Sequence, residues 1–148
     1  DFIVTTLWSK IPLKEAYCTE QVISDFRRSF FNGELLTFAD FNREHARCLT
    51  FLKEAVSCSK AKKKIVVTHH VPSFQMQCLK FADSLANGAF TVELEDYIKD
   101  SGIDFWIYGH SHYNVDVRIG NTMCVSNQLG YVFHGEHESF NPYKNIEV

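Results

Sequence analysis

The sequence has no excess of basic residues, no closely spaced cysteine pair and no long apolar run. Fifteen Lys and Arg against eighteen Asp and Glu leave a formal net charge of −3. Nothing electrostatic therefore draws the chain to nucleic acid, which is disfavoured as a partner. The run Lys62-Lys63-Lys64 is too short to reverse that and reads as solvation of the loop before a strand. No apolar stretch approaches the roughly 20 residues that a membrane crossing needs, so no membrane association is expected. The five cysteines (Cys18, Cys48, Cys58, Cys78 and Cys124) are odd in number and include no C-x-x-C pair. That argues against a disulfide framework or a thiolate zinc site. It favours free thiols in a reducing compartment, and cytoplasmic localisation is the expectation. Repeats, low-complexity tracts and domain linkers are missing too.

What is present suffices for a core. At 148 residues, 45% hydrophobic and with thirteen phenylalanines, the chain has the length of one domain and bulky side chains to fill it. Residues 2–8 read as a strand, β-branched and aromatic. Residues 9–36, broken by Pro12, show no sustained period and read as an irregular surface segment with room for a short helical turn. Within it Arg27 and Arg28 read as solvated. Thr37 and Asp40 form a capping-box pattern. Beyond it Phe38, Phe41, His45, Cys48, Leu49, Leu52 and Val56 recur at helical spacing, predicting an amphipathic helix to about Cys58. His45 lies on its apolar stripe and reads as a packed histidine.

Residues 64–68 predict a second strand, stopped by Pro72. Residues 73–88 read as a long loop with a helical piece, of the kind that lies over a site. A short helix is expected over 90–100, with Leu94, Tyr97 and Ile98 inward, and a third strand over 103–108. Residues 114–119 and 123–126 flank a Gly120-Asn121 turn as a hairpin. Residues 128–132 read as extended, and 145–148 as a last strand.

The second and third strands both end in histidine. Residues 64–68 run into His69-His70-Val71-Pro72, and residues 103–108 run into Gly109-His110-Ser111-His112. Ligand sites in α/β sheets gather at the carboxyl ends of strands. In extended backbone, positions i and i+2 face the same side, so the imidazoles of His110 and His112 are expected to point the same way. With His69 they form a candidate set of neutral imidazole ligands for a first-row divalent metal.

Thr68-His69-His70-Val71-Pro72 followed by Gly109-His110-Ser111-His112 resembles the last two metal motifs of the calcineurin-like metallophosphoesterases, over roughly residues 60 to 135. The resemblance implies a layered α/β/β/α sandwich of the metallophosphoesterase type, with residues 1–148 as the C-terminal part of a single domain. It also implies phosphoester hydrolysis at a dinuclear centre with a bridging hydroxide. The two divalent ions would be Mn, Fe or Zn. His69 and His110 would ligate one metal and His112 the other, while His70 would back a ligand or face the phosphoester substrate.

Three earlier motifs of that family, Asp-x-His, Gly-Asp-x-x-Asp and Gly-Asn-His-Asp/Glu, are lacking. Gly135-Glu136-His137-Glu138 comes nearest to the third, but it has Glu in place of the ligand Asn and lies downstream; it reads as a surface loop. The carboxylate that would bridge the metals is therefore missing, and three neutral histidines hold two dications poorly. The expected partner is an N-terminal segment of the same enzyme, deleted, disordered or carried on a separate chain. The alternative is a non-catalytic metal-binding or interaction module that retains the fold. A nuclease of the same superfamily is a third reading, opposed by the lack of a basic groove. The isolated chain, saturated with metal, is expected to give no turnover of p-nitrophenyl phosphate esters; measurable hydrolysis would contradict its incompleteness.

Overall fold

The computed structural model describes residues 1–147. Its centre is a five-stranded sheet made of β1 (Phe2–Thr5), β4 (Ile65–Thr68), β5 (Phe105–Tyr108), β6 (Val117–Ile119) and β7 (Thr122–Ser126), in the order β1-β4-β5-β7-β6. The first four strands of that order run parallel, and β6 closes one edge antiparallel to β7 across the Gly120-Asn121 turn. Gly120 takes φ +58° there, a conformation that costs glycine little. Parallel neighbours require crossovers. The connection from β1 to β4 carries α1 (Leu13–Val22), α2 (Asp25–Arg28), a small ribbon of β2 (Phe30–Phe31) with β3 (Glu34–Leu35), and α3 (Phe38–Cys58). The connection from β4 to β5 carries three short 3-10 turns and α4 (Glu95–Asp100). The fold is thus mixed α/β around a mostly parallel sheet, as the alternation of patterns predicts.

The long helix begins where its cap is written. Asp40 N–H donates to the Thr37 hydroxyl oxygen at 3.2 Å, and the Thr37 N–H donates to the Asp40 carboxylate at 3.1 Å. Its stripe serves two packing regions. Leu52 and Val56 pack with Ile3, Val66, Trp106 and Cys124 on one face of the sheet. Nearer its start, Phe41 packs with Ile11, Ala16, Phe26 and Ala89. At the centre Trp106 is fully buried, and its indole N–H donates to the Thr68 hydroxyl oxygen at 2.9 Å.

Several expectations change. The irregular segment over 9–36 contains a ten-residue helix, α1, with no side-chain cap and only Ala16 and Thr19 buried. Residues 128–132 form no strand, and a 3-10 turn begins at Val132. Residues 145–147 carry no strand, and Val148 lies outside the described residues. All five cysteines are free thiols. No helix among the described residues is long and apolar enough to cross a membrane.

Candidate metal centre

Backbone hydrogen bonds gather three strand ends. Past β1, the Thr6 carbonyl accepts from the N–H groups of both His69 (3.1 Å) and His70 (3.2 Å). The His69 carbonyl in turn accepts from Gly109 N–H at 3.0 Å. Chain segments leaving β1, β4 and β5 are therefore laced together at one level, and their side chains meet there.

They meet as a histidine cluster. The rings of His69 and His110 lie 4.7 Å apart between centroids, those of His70 and His110 4.1 Å, and those of His69 and His70 5.5 Å. Phe90 stacks on His110 at 4.8 Å. His112 stands on the other side of Ser111. His110 and His112 open on one cleft of about 530 Å³, shared with Asp25, Phe81, Phe90 and Tyr131.

The expectation that His110 and His112 point the same way is corrected. Both adopt left-handed backbone, φ +71° and +51°, and Ser111 N–H bonds back to the Gly109 carbonyl at 2.9 Å. The segment curls instead of extending, so i and i+2 no longer share a face. His110 turns towards Phe90 and the other histidines, whereas His112 turns towards Tyr131. Non-glycine residues in this region cost of order 1–3 kcal/mol each and persist only where the surroundings impose them. Gln128 imposes much of it: its side-chain oxygen accepts from His112 N–H at 2.7 Å and its amide donates to the Tyr113 carbonyl at 3.0 Å. Asn114 locks Gln128 in turn, accepting from its N–H at 2.6 Å.

Hydrogen bonding decides which ring nitrogens are free. The Ala89 carbonyl, which can only accept, lies 3.2 Å from His110 Nε2; the proton sits on Nε2 and the Nδ1 lone pair is left. Among the described residues no hydrogen bond engages the ring of His69. Burial pushes the pKa of His110 down to about 4, helped by the charge of His69, and partial burial with the charge of His112 lowers His69. Neutral imidazoles with available lone pairs are the species a divalent metal needs.

His70, expected to back a ligand or to face the substrate, is 3% exposed. Its Nδ1 accepts from Ser9 N–H at 3.2 Å and bonds the Ser9 hydroxyl at 2.9 Å, and its ring is enclosed by Trp8, Phe41 and His110. Desolvation and the neighbouring His110 and His69 hold its pKa far below the usual imidazole value. It backs His110 and does not reach the cleft. His45 is buried with its Nδ1 on the Trp8 carbonyl, a packed histidine as its stripe position suggests.

Two carboxylates at the site escaped the sequence. Asp25, on the one-turn helix α2, lines the cleft and its charge raises the pKa of His69. Glu136, expected in a surface loop, turns back so that its Oε2 lies 2.9 Å from His112 Nδ1. Arg27 caps the Gln21 carbonyl and takes no part. No three His, Cys, Asp or Glu side chains among the described residues are grouped as a complete metal site.

No family model and no solved structure matches the chain. It is similar to an uncharacterized protein, L509, of Acanthamoeba polyphaga mimivirus, with 30% identity over 158 aligned residues. The match takes in 99% of this chain and 55% of the viral protein, so the chain spans about half the length of that relative.

Burial of neutral histidines makes the metal-free protein pH-sensitive. Unfolded histidines protonate below about pH 6.5, whereas His110 waits until about 4 and His70 is held low as well. The unfolded state therefore binds more protons in this window. Stability is present above pH 6.5 and is lost as pH falls towards the folded values. Between pH 7.5 and 5 the expected loss from His110 is about 2 kcal/mol, with a further loss in the same direction from His70, read from urea unfolding. A flat profile across that range would contradict the assignment.

Proposed function

We propose that this chain is the C-terminal part of a calcineurin-like metallophosphoesterase, a layered α/β/β/α sandwich that hydrolyses phosphoesters at a dinuclear centre. The observation that carries this reading is the meeting of the His69 and His110 rings, 4.7 Å apart, at the carboxyl ends of adjacent parallel strands, with His112 beyond Ser111 on the cleft that His110 lines. In this reading His69 and His110 hold one divalent ion, Mn, Fe or Zn, and His112 holds the second. Such ions supply a water of lowered pKa as nucleophile and draw charge from the phosphoryl oxygens.

The chain's own residues prepare the site. Phe90 and the buried His70 clamp the His110 ring, and the Ala89 carbonyl fixes its protonated nitrogen. Asp25 brings negative charge to a cleft that would otherwise hold cations among neutral groups alone. The cleft lining contains no lysine or arginine, which favours a compact phosphoester over a nucleic acid. The bridging carboxylate and the leaving-group acid are assigned to the missing N-terminal segment, on this chain's polypeptide or on another.

The sheet supports that assignment. Its helix side buries Ile3, Val66, Trp106 and Cys124. By strand alternation, the opposite face carries Phe2, Val4, Ile65, Val67, Phe105, Ile107, Met123 and Val125; Ile65 and Val125 are buried, whereas Phe2 is 71% and Val4 63% exposed. Parallel sheets are found with both faces covered. A second sheet on this face completes the sandwich and brings its own strand ends to the histidines. The proposed compartment is the cytoplasm, in keeping with five unpaired thiols.

A second reading is a non-catalytic module that keeps the fold, favoured by the lack of any group of three metal-binding side chains among the described residues. Zinc or manganese titration against a competing chelator separates the two, using the wild type and His110→Ala. The enzyme reading expects His110→Ala to weaken binding by more than ~100-fold, beyond what loss of an outer partner costs, with the melting temperature of the metal-free protein little changed. Equal affinity in the two proteins would refute it; a melting temperature that falls together with metal loss would favour a structural metal.

A further inference from the structure

We propose that Glu136 is a positioning residue for the site: it holds His112 with the proton on Nδ1 and the Nε2 lone pair free for the cleft. This rests on the reading of His112 as a metal ligand, although the proton placement does not. Glu136 Oε2 lies 2.9 Å from His112 Nδ1, and the same oxygen accepts from Tyr131 N–H at 2.6 Å. A carboxylate held by a backbone N–H accepts from the imidazole, so the ring donates through Nδ1. Histidine ligands are commonly oriented in this way, their second nitrogen donating to a carboxylate that fixes tautomer and ring direction.

The surroundings are shaped for this pair. Gly130 has φ +62°, and a Cβ placed there would lie 2.6 Å from Glu136 Cβ, 2.8 Å from its Oε2 and 3.1 Å from His112 Cβ. Only the bare backbone of glycine lets the pair close over it. Gly135 at φ +74° then turns the chain so that Glu136 points back. Tyr131 meets the His112 ring edge-on at 4.9 Å. Both partners are about one-third exposed (32% and 31%), and ion pairs so exposed add little to stability. Two left-handed glycines and a left-handed His112, spent on a contact that stabilises so little, point to orientation of the ring as its use. In sequence the pair is separated by 24 residues.

Two readouts test the proposal. Two-bond proton–nitrogen correlation spectra of the metal-free protein at pH 8 report the tautomer of His112 directly, and chelator competition reports zinc affinity. The wild type is expected to show His112 protonated on Nδ1. Glu136→Ala should move it towards the Nε2-protonated form and weaken zinc binding by about 10–100-fold. Glu136→Gln, which keeps an acceptor oxygen, should restore the Nδ1 form and part of the affinity. Gly130→Ala should reproduce the alanine result from the opposite side. A wild-type His112 already protonated on Nε2, or a Glu136→Ala protein with unchanged tautomer and affinity, would overturn the proposal. A tautomer switch in Glu136→Ala, with a wild type that binds no zinc, would uphold the positioning role and instead sink the metal reading.

Discussion

The parallel pairing of β4 with β5, Ile65 opposite Phe105 and Val67 opposite Ile107, is the constraint on which everything else in the molecule depends. Parallel strands in one sheet end on the same side, so a histidine after each arrives at a common edge without any long-range design beyond the register. The register is held from within by apolar burial: Val66 beside Trp106, both fully buried under α3. Slipping either strand by one residue would turn that apolar row outwards and carry the histidines apart. Core packing and site geometry are thus one requirement.

Beyond the strand ends, the site is made by curling the chain. Leu7, fully buried, takes φ +46° just past β1, and His110 and His112 take left-handed backbone just past β5. Such residues are uncommon, and together they line the same edge. Gln128 and Asn114 hold the second curl with side-chain hydrogen bonds, and Thr68 ties β4 to His70 by donating to its carbonyl at 3.0 Å. Among the described residues only Asn32, in the β2–β3 turn, is a left-handed non-glycine residue away from this edge.

Much of the fold was legible in the sequence, for local reasons. The apolar runs before His69 and Gly109 declare buried strands, the Thr37–Asp40 box declares the start of α3, and the Gly120-Asn121 turn declares its hairpin. Helix α1 was hidden because its first turn has no side-chain cap and its buried face is two small residues, Ala16 and Thr19. His69 and His110 were legible as a meeting pair because strand direction alone brings them together. The depth of His70 was not, since Trp8 and Phe41, which enclose it, come from distant segments. Asp25 and Glu136 could not be read either. One sits on a single helical turn, and the other reaches His112 only through the conformations of Gly130 and Gly135. The direction of His112 was misjudged because positive φ values carry no mark in a histidine's identity.

The most direct measurement is an anomalous difference map, collected at the zinc edge, from crystals of the protein grown in millimolar zinc. Two peaks are expected, one within about 2.0–2.1 Å of ring nitrogens of both His69 and His110, the other at the same distance from Nε2 of His112. Zinc bound only elsewhere, or none at these three imidazoles, would contradict a metal centre at the ends of β4 and β5.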